Sequence, residues 1–306
     1  MSPKSPLLVL LMALTVACAT GSSIPSTVPP TTGTALFPIT IESEAGRATI
    51  ERRPERIASL SATATEILFA IGAGGQVAAT DDFSNYPAAA EETEKVDAFQ
   101  LNVEAVADLE PDLVVLAFDP GEAVESLQAL EIPVILHSAP PGLEESFAQI
   151  EQLGAATGHV EEAAELVAGM EREIEEIASA APPPDERLTY YHELDPSFFS
   201  VTSETFVGQV YGLLGLESIA DQAAEAGSYP QLSAEFIIDA DPDFIFLADT
   251  KCCGETAASL AERPGWNTLT AVQEDRVVEL DDDVASRWGP RVVDLLRTVA
   301  KEVGSG

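Results

Sequence analysis

The residues in this sequence that could do covalent chemistry are few, and the most suggestive are His192 and Glu193 in the segment YYHELD. A His and a Glu can serve as acid and base, but neighbours in a strand point to opposite faces of the sheet. The sequence contains no nucleophile-elbow, Walker, zinc-protease or dinucleotide-binding motif. His137 and His159 lie far apart in sequence, and each is predicted to be a loop or surface residue. We therefore predict a protein that is not an enzyme and has no catalytic residues.

Cysteine chemistry is confined to Cys18 and to the adjacent pair Cys252 and Cys253 in DTKCCGET. This arrangement is not a disulfide framework. The adjacent pair could close a strained vicinal disulfide, bind a soft metal or stay free, and a structural or redox-inert pair fits the sequence equally well. Two thiols without a nearby His or further Cys make a poor zinc site, so no resident metal is predicted.

Two glutamates, Glu104 and Glu235, occupy matching places in a segment that the sequence contains twice. In LNVEAVADLEPDLVVLAF and again in LSAEFIIDADPDFIFLAD, the Glu precedes a Pro-Asp pair by seven residues, and an apolar run follows. The repeat predicts two similar lobes, each with an acidic residue at the start of a short helix and both acidic residues on the same outer side. The alternative is that acidic residues simply favour helix N-termini, which is a serious alternative in a chain this acidic.

The elements that would position these residues alternate between strands and helices from Arg56 onward, which is typical of βαβ units with a mainly parallel sheet. Thr63 and Glu66 have capping-box spacing at the start of one helix. Val160 to Ala181 lacks proline and predicts one long helix, which a run of three prolines ends. A second series follows, in which RLTYYHEL and FFSV are predicted as strands. The prediction is an α/β fold with two lobes and one long helix between them.

The charge is strongly acidic, with 52 Asp and Glu against 15 Lys and Arg and a formal net charge of −37. Binding to phosphates requires clustered basic side chains, so the composition excludes nucleic acid and anionic lipid surfaces as partners. We interpret the acidity as a heavily solvated surface and not as a specific binding device.

The N-terminus has the pattern of a targeting segment. Lys4 precedes the apolar run from Leu7 to Ala17, which is too short to span a bilayer. The TVAC that ends it is similar to a bacterial lipobox with Cys18 as the lipidated residue, although Thr15 stands where Leu is usual. ACA also fits an ordinary cleavage site. We predict an extracytoplasmic protein that is anchored to the cell membrane by lipid at Cys18, with a secreted or periplasmic protein as the alternative.

The arrangement from Arg53 to Val303 resembles the helical-backbone substrate-binding proteins of ABC importers for vitamin B12, iron-siderophores and haem. The segments that carry this resemblance are RPERIASLSATATEILFAIGAGGQVAATDDFSNYP, NVEAVADLEPDLVVLAF, SETFVGQVYGLLGLESIAD, YPQLSAEFIIDADPDFIFL and GPRVVDLL. It implies two Rossmann-like α/β lobes with mainly parallel sheets, joined by one long rigid helix, and a ligand cleft between the lobes. The predicted boundaries are 1–18 for the signal peptide and lipidated Cys, 19–35 for a disordered tether, 36–158 for the first lobe, 159–181 for the connecting helix and 182–306 for the second lobe.

The resemblance also implies roles for individual residues. In the family, one Glu at the tip of each lobe docks onto Arg residues of the membrane permease, and Glu104 and Glu235 match those positions. Trp288 either lines the cleft or packs under the last helix, and for each Phe of the site ordinary core packing is the alternative. Alignment with the vitamin B12-binding members places the ligand-binding side chains at Phe83, Phe99, Phe118, Tyr229, Asp283 and Arg287.

The implied function is capture of a cobalt or iron chelate and its delivery to an ABC permease dimer, by a monomer that has no cofactor of its own. A corrinoid such as cobalamin is preferred, because the cleft lacks the Arg and Lys cluster expected for an anionic catecholate siderophore. A hydroxamate iron-siderophore or haem comes next. The KCCG segment has no counterpart in the vitamin B12 binders, so this loop is expected to meet the ligand differently. The alternatives are a ligand sensor that is not coupled to import and an enzyme on the same fold.

Overall fold

The computed structural model describes residues 37–181 and 187–304. The predicted signal peptide, Cys18 and the tether at 19–35 lie outside the described residues. Within the described ranges, no helix is long and apolar enough to cross a membrane.

The first lobe is built on a parallel five-stranded sheet with the order β5-β4-β3-β6-β7, preceded by an antiparallel hairpin of β1 and β2. The central strands are buried along their whole length, as expected where helices cover both faces of a parallel sheet. The strands are β1 Ile39–Ser43, β2 Gly46–Ile50, β3 Ile57–Leu60, β4 Val77–Asp81, β5 Glu94–Val96, β6 Leu113–Leu116 and β7 Val134–Leu136. The helices are α1 Ala62–Ala70, α2 Val103–Asp108, α3 Ala123–Ala129 and α4 Leu143–Thr157, with 3-10 turns at Ala73–Gln76 and Ala88–Glu92.

The second lobe has a parallel four-stranded sheet with the order β11-β10-β8-β9. Its strands are β8 Leu188–Glu193, β9 Leu216–Ser218, β10 Phe244–Leu247 and β11 Val277–Glu279. Its helices are α6 Phe206–Gly212, α7 Ala234–Ala240, α8 Ala257–Ala261, α9 Thr270–Gln273, α10 Asp282–Ser286 and α11 Val292–Val303, with 3-10 turns at Ile219–Ala226 and Trp266–Thr268. This architecture confirms the α/β fold with two lobes and mainly parallel sheets.

The predicted strand FFSV is wrong. Phe199 makes only an isolated antiparallel bridge with Gln231. Phe198 has a φ of 70°, in the left-handed region, and such a residue interrupts an extended strand. The segment is apolar because its side chains pack individually against the second lobe. The Phe198 ring, for example, stacks on Trp266 with the ring centroids 5.7 Å apart.

A single long helix, α5, spans Val160–Ala180 between the two sheets in sequence. One stripe of the helix is buried, and its spacing of three and four residues matches the helical repeat. The stripe packs against α4 and α11, and it joins a continuous apolar core to which both lobes contribute. Leu113 and Val115 of the first sheet and Tyr190 and Phe246 of the second belong to this core. The lobes are therefore joined by shared packing as well as by the helix.

The repeated segment forms the same local structure in both lobes. Asn102 caps α2 through a hydrogen bond from the Ala105 N–H, and Ser233 caps α7 in the same way. A residue with positive φ follows each helix, Glu110 at 49° after α2 and Asp241 at 43° after α7. The chain is thereby turned back toward the sheet in both places, and the Pro-Asp pair starts the next strand.

The Asp of each Pro-Asp pair has a structural role that explains its repetition. The Asp112 carboxylate accepts hydrogen bonds from the backbone N–H groups of Glu55 and Arg56, just before β3. The Asp243 carboxylate accepts one from the Thr189 N–H in β8, at 2.7 Å. Each Asp thus satisfies backbone donors at the amino end of the strand beside its own.

Two buried carboxyl groups lie at the carboxyl ends of β8 and β10. Glu193 and Asp249 are both fully buried, and Glu193 accepts two hydrogen bonds of 2.6 Å from the Arg263 guanidinium. Within the part of the chain that the structure describes, no group donates a hydrogen bond to either carboxyl oxygen of Asp249. Burial, reinforced by the neighbouring Glu193 carboxylate, raises the pKa of Asp249 to about 7. The fold therefore favours a neutral Asp249 below about pH 7.

We predict that Asp249→Asn stabilises the protein at pH 8. The folded-state pKa of Asp249 is raised, so the contribution of this group to stability is present at low pH and is lost as the pH rises toward and through 7. The Asn amide is neutral at every pH, and it can donate to Glu193 as the protonated acid would. Urea denaturation at pH 8 should show a gain of about 1–3 kcal/mol in the free energy of unfolding, which shrinks toward pH 5.

The matched control is Asp239→Asn, because Asp239 is an exposed carboxylate on α7. It should leave both the stability and its pH dependence nearly unchanged. If Asp249→Asn is no more stable than the wild type at pH 8, the pKa of Asp249 is not raised by burial in the folded protein.

Candidate functional site

A cavity of about 290 Å³ lies where strands β3, β4 and β6 end. In the strand order of the first sheet, the connections run in opposite directions on the two sides of the β3–β6 pair, and ligands bind at such switch points at the carboxyl ends of parallel strands. The segment around α10 closes the cavity from the side of the second lobe. Six of its lining residues concern the site prediction: Phe83, Phe99, Phe118, Asp283, Arg287 and Trp288.

The three phenylalanines form one aromatic wall. The ring centroids of Phe83 and Phe99 are 5.5 Å apart in an edge-to-face arrangement, and those of Phe99 and Phe118 are 5.0 Å apart. Phe83 and Phe99 are 58 % and 62 % exposed, so these two rings are not core residues. Their loops are held by the Asp81 and Asp97 carboxylates, which accept hydrogen bonds from the Phe83 and Phe99 N–H groups. The structure thus displays apolar rings on fixed loops at a cavity.

Tyr229 is the one predicted ligand-binding residue that is not brought to this cavity. It lies in the loop between the 3-10 turn Ile219–Ala226 and α7, and it is 47 % exposed. Trp288 lines the cavity and also packs against the apolar core. Its Nε1–H donates a hydrogen bond to Gln149 of α4 at 2.8 Å.

Arg287 reaches the cavity wall, but its guanidinium is already engaged. Its Nη1 donates to Glu66 at 2.6 Å, and its Nη2 donates to Asp283 at 2.6 Å and to the Phe83 carbonyl at 2.8 Å. The residue is 6 % exposed. The positive charge of Arg287 is therefore neutralised within the protein, and it offers a ligand much less than a free arginine would.

Glu66 is the functional residue that sequence reasoning missed. The spacing of Thr63 and Glu66 predicts a capping box, but Ser61 is the N-cap of α1 and Glu66 points inward. Besides Arg287, its carboxylate accepts hydrogen bonds from Arg291 at 2.6 and 2.9 Å. This Glu66 clamp, as we call the contacts of Glu66 with Arg287 and Arg291, ties α1 of the first lobe to the segment before α11. The signal in the sequence was the pair of arginines beside GP, which had no assigned acidic partner.

Asp283 links the clamp to the rim of the cavity. Its carboxylate accepts hydrogen bonds from Asn85 at 3.0 Å and from Lys251 at 2.9 Å, and it is paired with Arg287. Partial burial alone would raise the pKa of Asp283, but the hydrogen bonds from Lys251 and Asn85 lower it below the usual value. Asp283 thus stays ionised and joins the two lobes at the mouth of the cavity.

None of the three histidines lines this cavity. The prediction that His137 and His159 are loop or surface residues holds for the loop and not for the surface. Both lie outside helices and strands, but both are buried. The Arg53 guanidinium donates a hydrogen bond to Nε2 of His159 at 2.6 Å. His192 is fully buried, and its Nδ1 lies 2.9 Å from the Tyr211 hydroxyl, while Glu193 is paired with Arg263. His192 and Glu193 therefore have separate partners and do not form an acid–base pair.

The two repeated glutamates are both exposed. Glu104 lies in the first turn of α2, and Glu235 lies in the first turn of α7. Neither has a hydrogen-bond or ion-pair partner among the residues that the structure describes. Since α2 and α7 are the repeat-equivalent helices, each lobe presents one free carboxylate at an equivalent position.

Comparison with known proteins identifies relatives that are binding proteins. The model of a family described as periplasmic binding protein matches residues 57–284. The chain is 29 % identical over 280 residues to an uncharacterized ABC transporter substrate-binding lipoprotein, YvrC of Bacillus subtilis, covering 88 % of this chain and 87 % of the relative.

The chain is also similar to solved structures of periplasmic binding proteins. The chain is similar to the periplasmic vitamin B12 binding protein BtuF of Vibrio cholerae, with a TM-score of 0.69 and 27 % identity, over 81 % of this chain and 96 % of that one. It is also similar to the periplasmic heme-binding protein RhuT from Roseiflexus sp. RS-1, with a TM-score of 0.73 and 25 % identity, over 82 % of this chain and 98 % of that one. With its two lobes, its cleft-side cavity and this family match, the chain belongs to the periplasmic binding protein family and is a substrate-binding protein of an ABC transporter.

Proposed function

We propose that this protein captures a corrinoid outside the cytoplasmic membrane and delivers it to an ABC permease, without catalysing a reaction. The observation that carries the choice of ligand is the chemistry of the cavity: an aromatic wall, and an arginine whose charge is already neutralised. A corrin ring has a broad apolar face and a periphery of neutral carboxamides. Such a ligand can stack on Phe rings and needs no free cationic partner.

The alternative chelates fit this cavity less well. Haem carries propionate carboxylates, which call for free Arg or Lys, and its iron takes axial ligands such as His, Tyr, Cys or Met. Among the described residues that line the cavity, none is of those four types, and the guanidinium of Arg287 is taken up by Glu66 and Asp283. Catecholate siderophores are anionic and would meet Asp81 and Asp283. These observations support a neutral or cationic chelate.

Lipidation at Cys18 would complement this function, because a tether keeps the loaded protein near the permease and raises its effective concentration there. Similarity to a lipoprotein of Bacillus subtilis supports the proposal. Glu104 and Glu235 would then meet basic side chains of the permease, one from each lobe. Exposed charge pairs of this kind set the register and the association rate more than they set affinity.

The ligand is tested by titrating the purified protein with cyanocobalamin and, separately, with haemin and a ferric hydroxamate, and by following the visible absorption of each. Phe99→Ala should weaken cyanocobalamin binding by about 10- to 100-fold, since it removes the central ring of the wall. Leu130→Ala is the control, because Leu130 is an apolar side chain of similar exposure that does not line the cavity. Tighter binding of haemin than of cyanocobalamin would overturn the choice of ligand.

Docking is tested with the double variant Glu104→Ala/Glu235→Ala in cells that depend on this protein for uptake. Ligand affinity of the purified variant should equal that of the wild type, while uptake of labelled ligand should fall to background. The control, Glu161→Ala/Glu175→Ala, removes the same charge from exposed positions of α5 and should transport normally. If both double variants transport normally, docking does not use Glu104 and Glu235, and the docking proposal is wrong.

A further inference from the structure

The adjacent cysteines lie in the loop that follows β10, and neither capture nor docking uses them. Cys252 and Cys253 are both exposed, and both are free thiols. The backbone N–H of Cys253 donates to the carbonyl of Asp249, at the end of β10, over 3.2 Å. The pair is therefore held beside the carboxyl end of the second sheet.

The same loop is tied to α10 by one carboxylate. Asp282 accepts hydrogen bonds from the Thr250 hydroxyl at 2.8 Å, from the Lys251 N–H at 2.9 and 3.0 Å, and from the Cys252 N–H at 2.8 Å. Gly254, with a φ of +74°, turns the chain immediately after the cysteines. The backbone of Cys252 thus contributes directly to the anchor between the loop and α10.

This anchor reaches the ligand cavity in two further contacts. The Lys251 ammonium pairs with Asp283 at 2.9 Å, next to the anchoring Asp282. Asp283 pairs with Arg287 at 2.6 Å, and both side chains line the cavity. The backbone of Cys252 is therefore connected to the cavity wall through Asp282, Lys251 and Asp283.

We propose that Cys252 and Cys253 form a redox modification site, in which oxidation closes a vicinal disulfide and loosens the cavity wall formed by α10. Adjacent Cα atoms are about 3.8 Å apart across a trans peptide, whereas disulfides usually join Cα atoms at least about 4.4 Å apart. Closing the bond therefore requires the backbone at Cys252 to rearrange. The peptide that twists is the one between the two cysteines, so the bond from the Cys253 N–H to the Asp249 carbonyl is strained first. The adjoining hydrogen bond from the Cys252 N–H to Asp282 is displaced with it.

The oxidant is a small disulfide of the class present outside the cytoplasmic membrane. One protein thiolate attacks a sulfur of this disulfide, forming a mixed disulfide and expelling a thiolate. The second protein thiolate then attacks the cysteine Sγ of this mixed disulfide, which forms the vicinal S–S bond and expels the remaining thiolate. Two protein S–H groups are lost, one S–S bond is formed, and the external disulfide is reduced to two thiols.

The surroundings of the pair suit a reversible bond. Burial, the contact with Cys253 and the nearby Asp282 and Asp249 carboxylates raise the pKa of Cys252 to about 12. The reduced form is then not stabilised as a thiolate, which favours the disulfide at equilibrium, while the strain of a vicinal bond keeps it reducible. The acidic neighbourhood also favours a cationic disulfide as the reagent.

The test uses the full chain with Cys18→Ser, so that only the pair can react. The protein is incubated with cystamine, a disulfide that carries two ammonium groups, and its intact mass and backbone hydrogen–deuterium exchange are measured. The expected mass is that of the reduced chain less two hydrogen atoms, it maps to the peptide containing Cys252 and Cys253, and dithiothreitol restores the original mass. Backbone exchange in 251–253 and 282–287 should be about tenfold faster in the oxidised protein, because the loss of one hydrogen bond to a charged group lowers the local free energy of opening.

Cys253→Ser should instead keep a mixed disulfide with cysteamine, and Cys252→Ser/Cys253→Ser should show the same exchange with and without cystamine. A stable mixed disulfide on the unaltered pair, or thiols that remain fully alkylatable after cystamine, would overturn the modification site. A vicinal disulfide with unchanged exchange in 282–287 would overturn its link to the cavity. Both readouts are independent of which ligand the cavity binds.

Discussion

The shape of the cleft depends on one buried carboxylate that holds two guanidinium groups across the lobes. Glu66 belongs to α1 of the first lobe, whereas Arg287 and Arg291 flank the turn between α10 and α11. Removing one member of a buried ion pair leaves an uncompensated charge and typically costs about 3–5 kcal/mol. The position of α10 at the cavity wall and the neutralised charge of Arg287 both follow from this Glu66 clamp.

The clamp acts together with apolar packing. Helix α4 packs on α1, α5 and α6, and α11 packs on α5 and α6, so the two sheets share a core. Ser146 of α4 also donates to the Trp288 carbonyl, and Gln209 of α6 donates to the Pro141 carbonyl at 2.6 Å. A wide hinge motion would have to break all of these contacts. The structure therefore favours a preformed cleft with small adjustments, which fixes the spacing of the two free carboxylates, Glu104 and Glu235.

The predictable part of the structure came from patterns that are local in sequence. The repeat around the Pro-Asp pairs indicated two lobes because each copy holds a complete unit of cap, helix, turn and strand. Phe83, Phe99 and Phe118 were grouped only by the resemblance to the vitamin B12-binding proteins. The structure supplies the physical reason, because each follows one of the parallel strands β4, β5 and β6, which end at one edge of the sheet.

Other features depend on tertiary packing and could not be read from the sequence. Glu66 has the spacing of a capping residue, and only the arrival of two arginines more than two hundred residues later gives it another role. The burial of Asp249 without a hydrogen-bond donor among the described residues is likewise a property of the folded interior. Phe198 and its neighbours have strand-like composition, but a positive φ at Phe198 prevents the strand.

The most direct measurement is the distance distribution between spin labels placed at Glu104→Cys and Glu235→Cys, in a chain whose own cysteines are replaced by Ser. If the clamp and the shared core fix the lobes, double electron–electron resonance should give one narrow distribution that cyanocobalamin leaves nearly unchanged. Glu66→Gln should broaden it, whereas Glu161→Gln should not. A broad or two-peaked distribution with Glu66 intact would contradict the account.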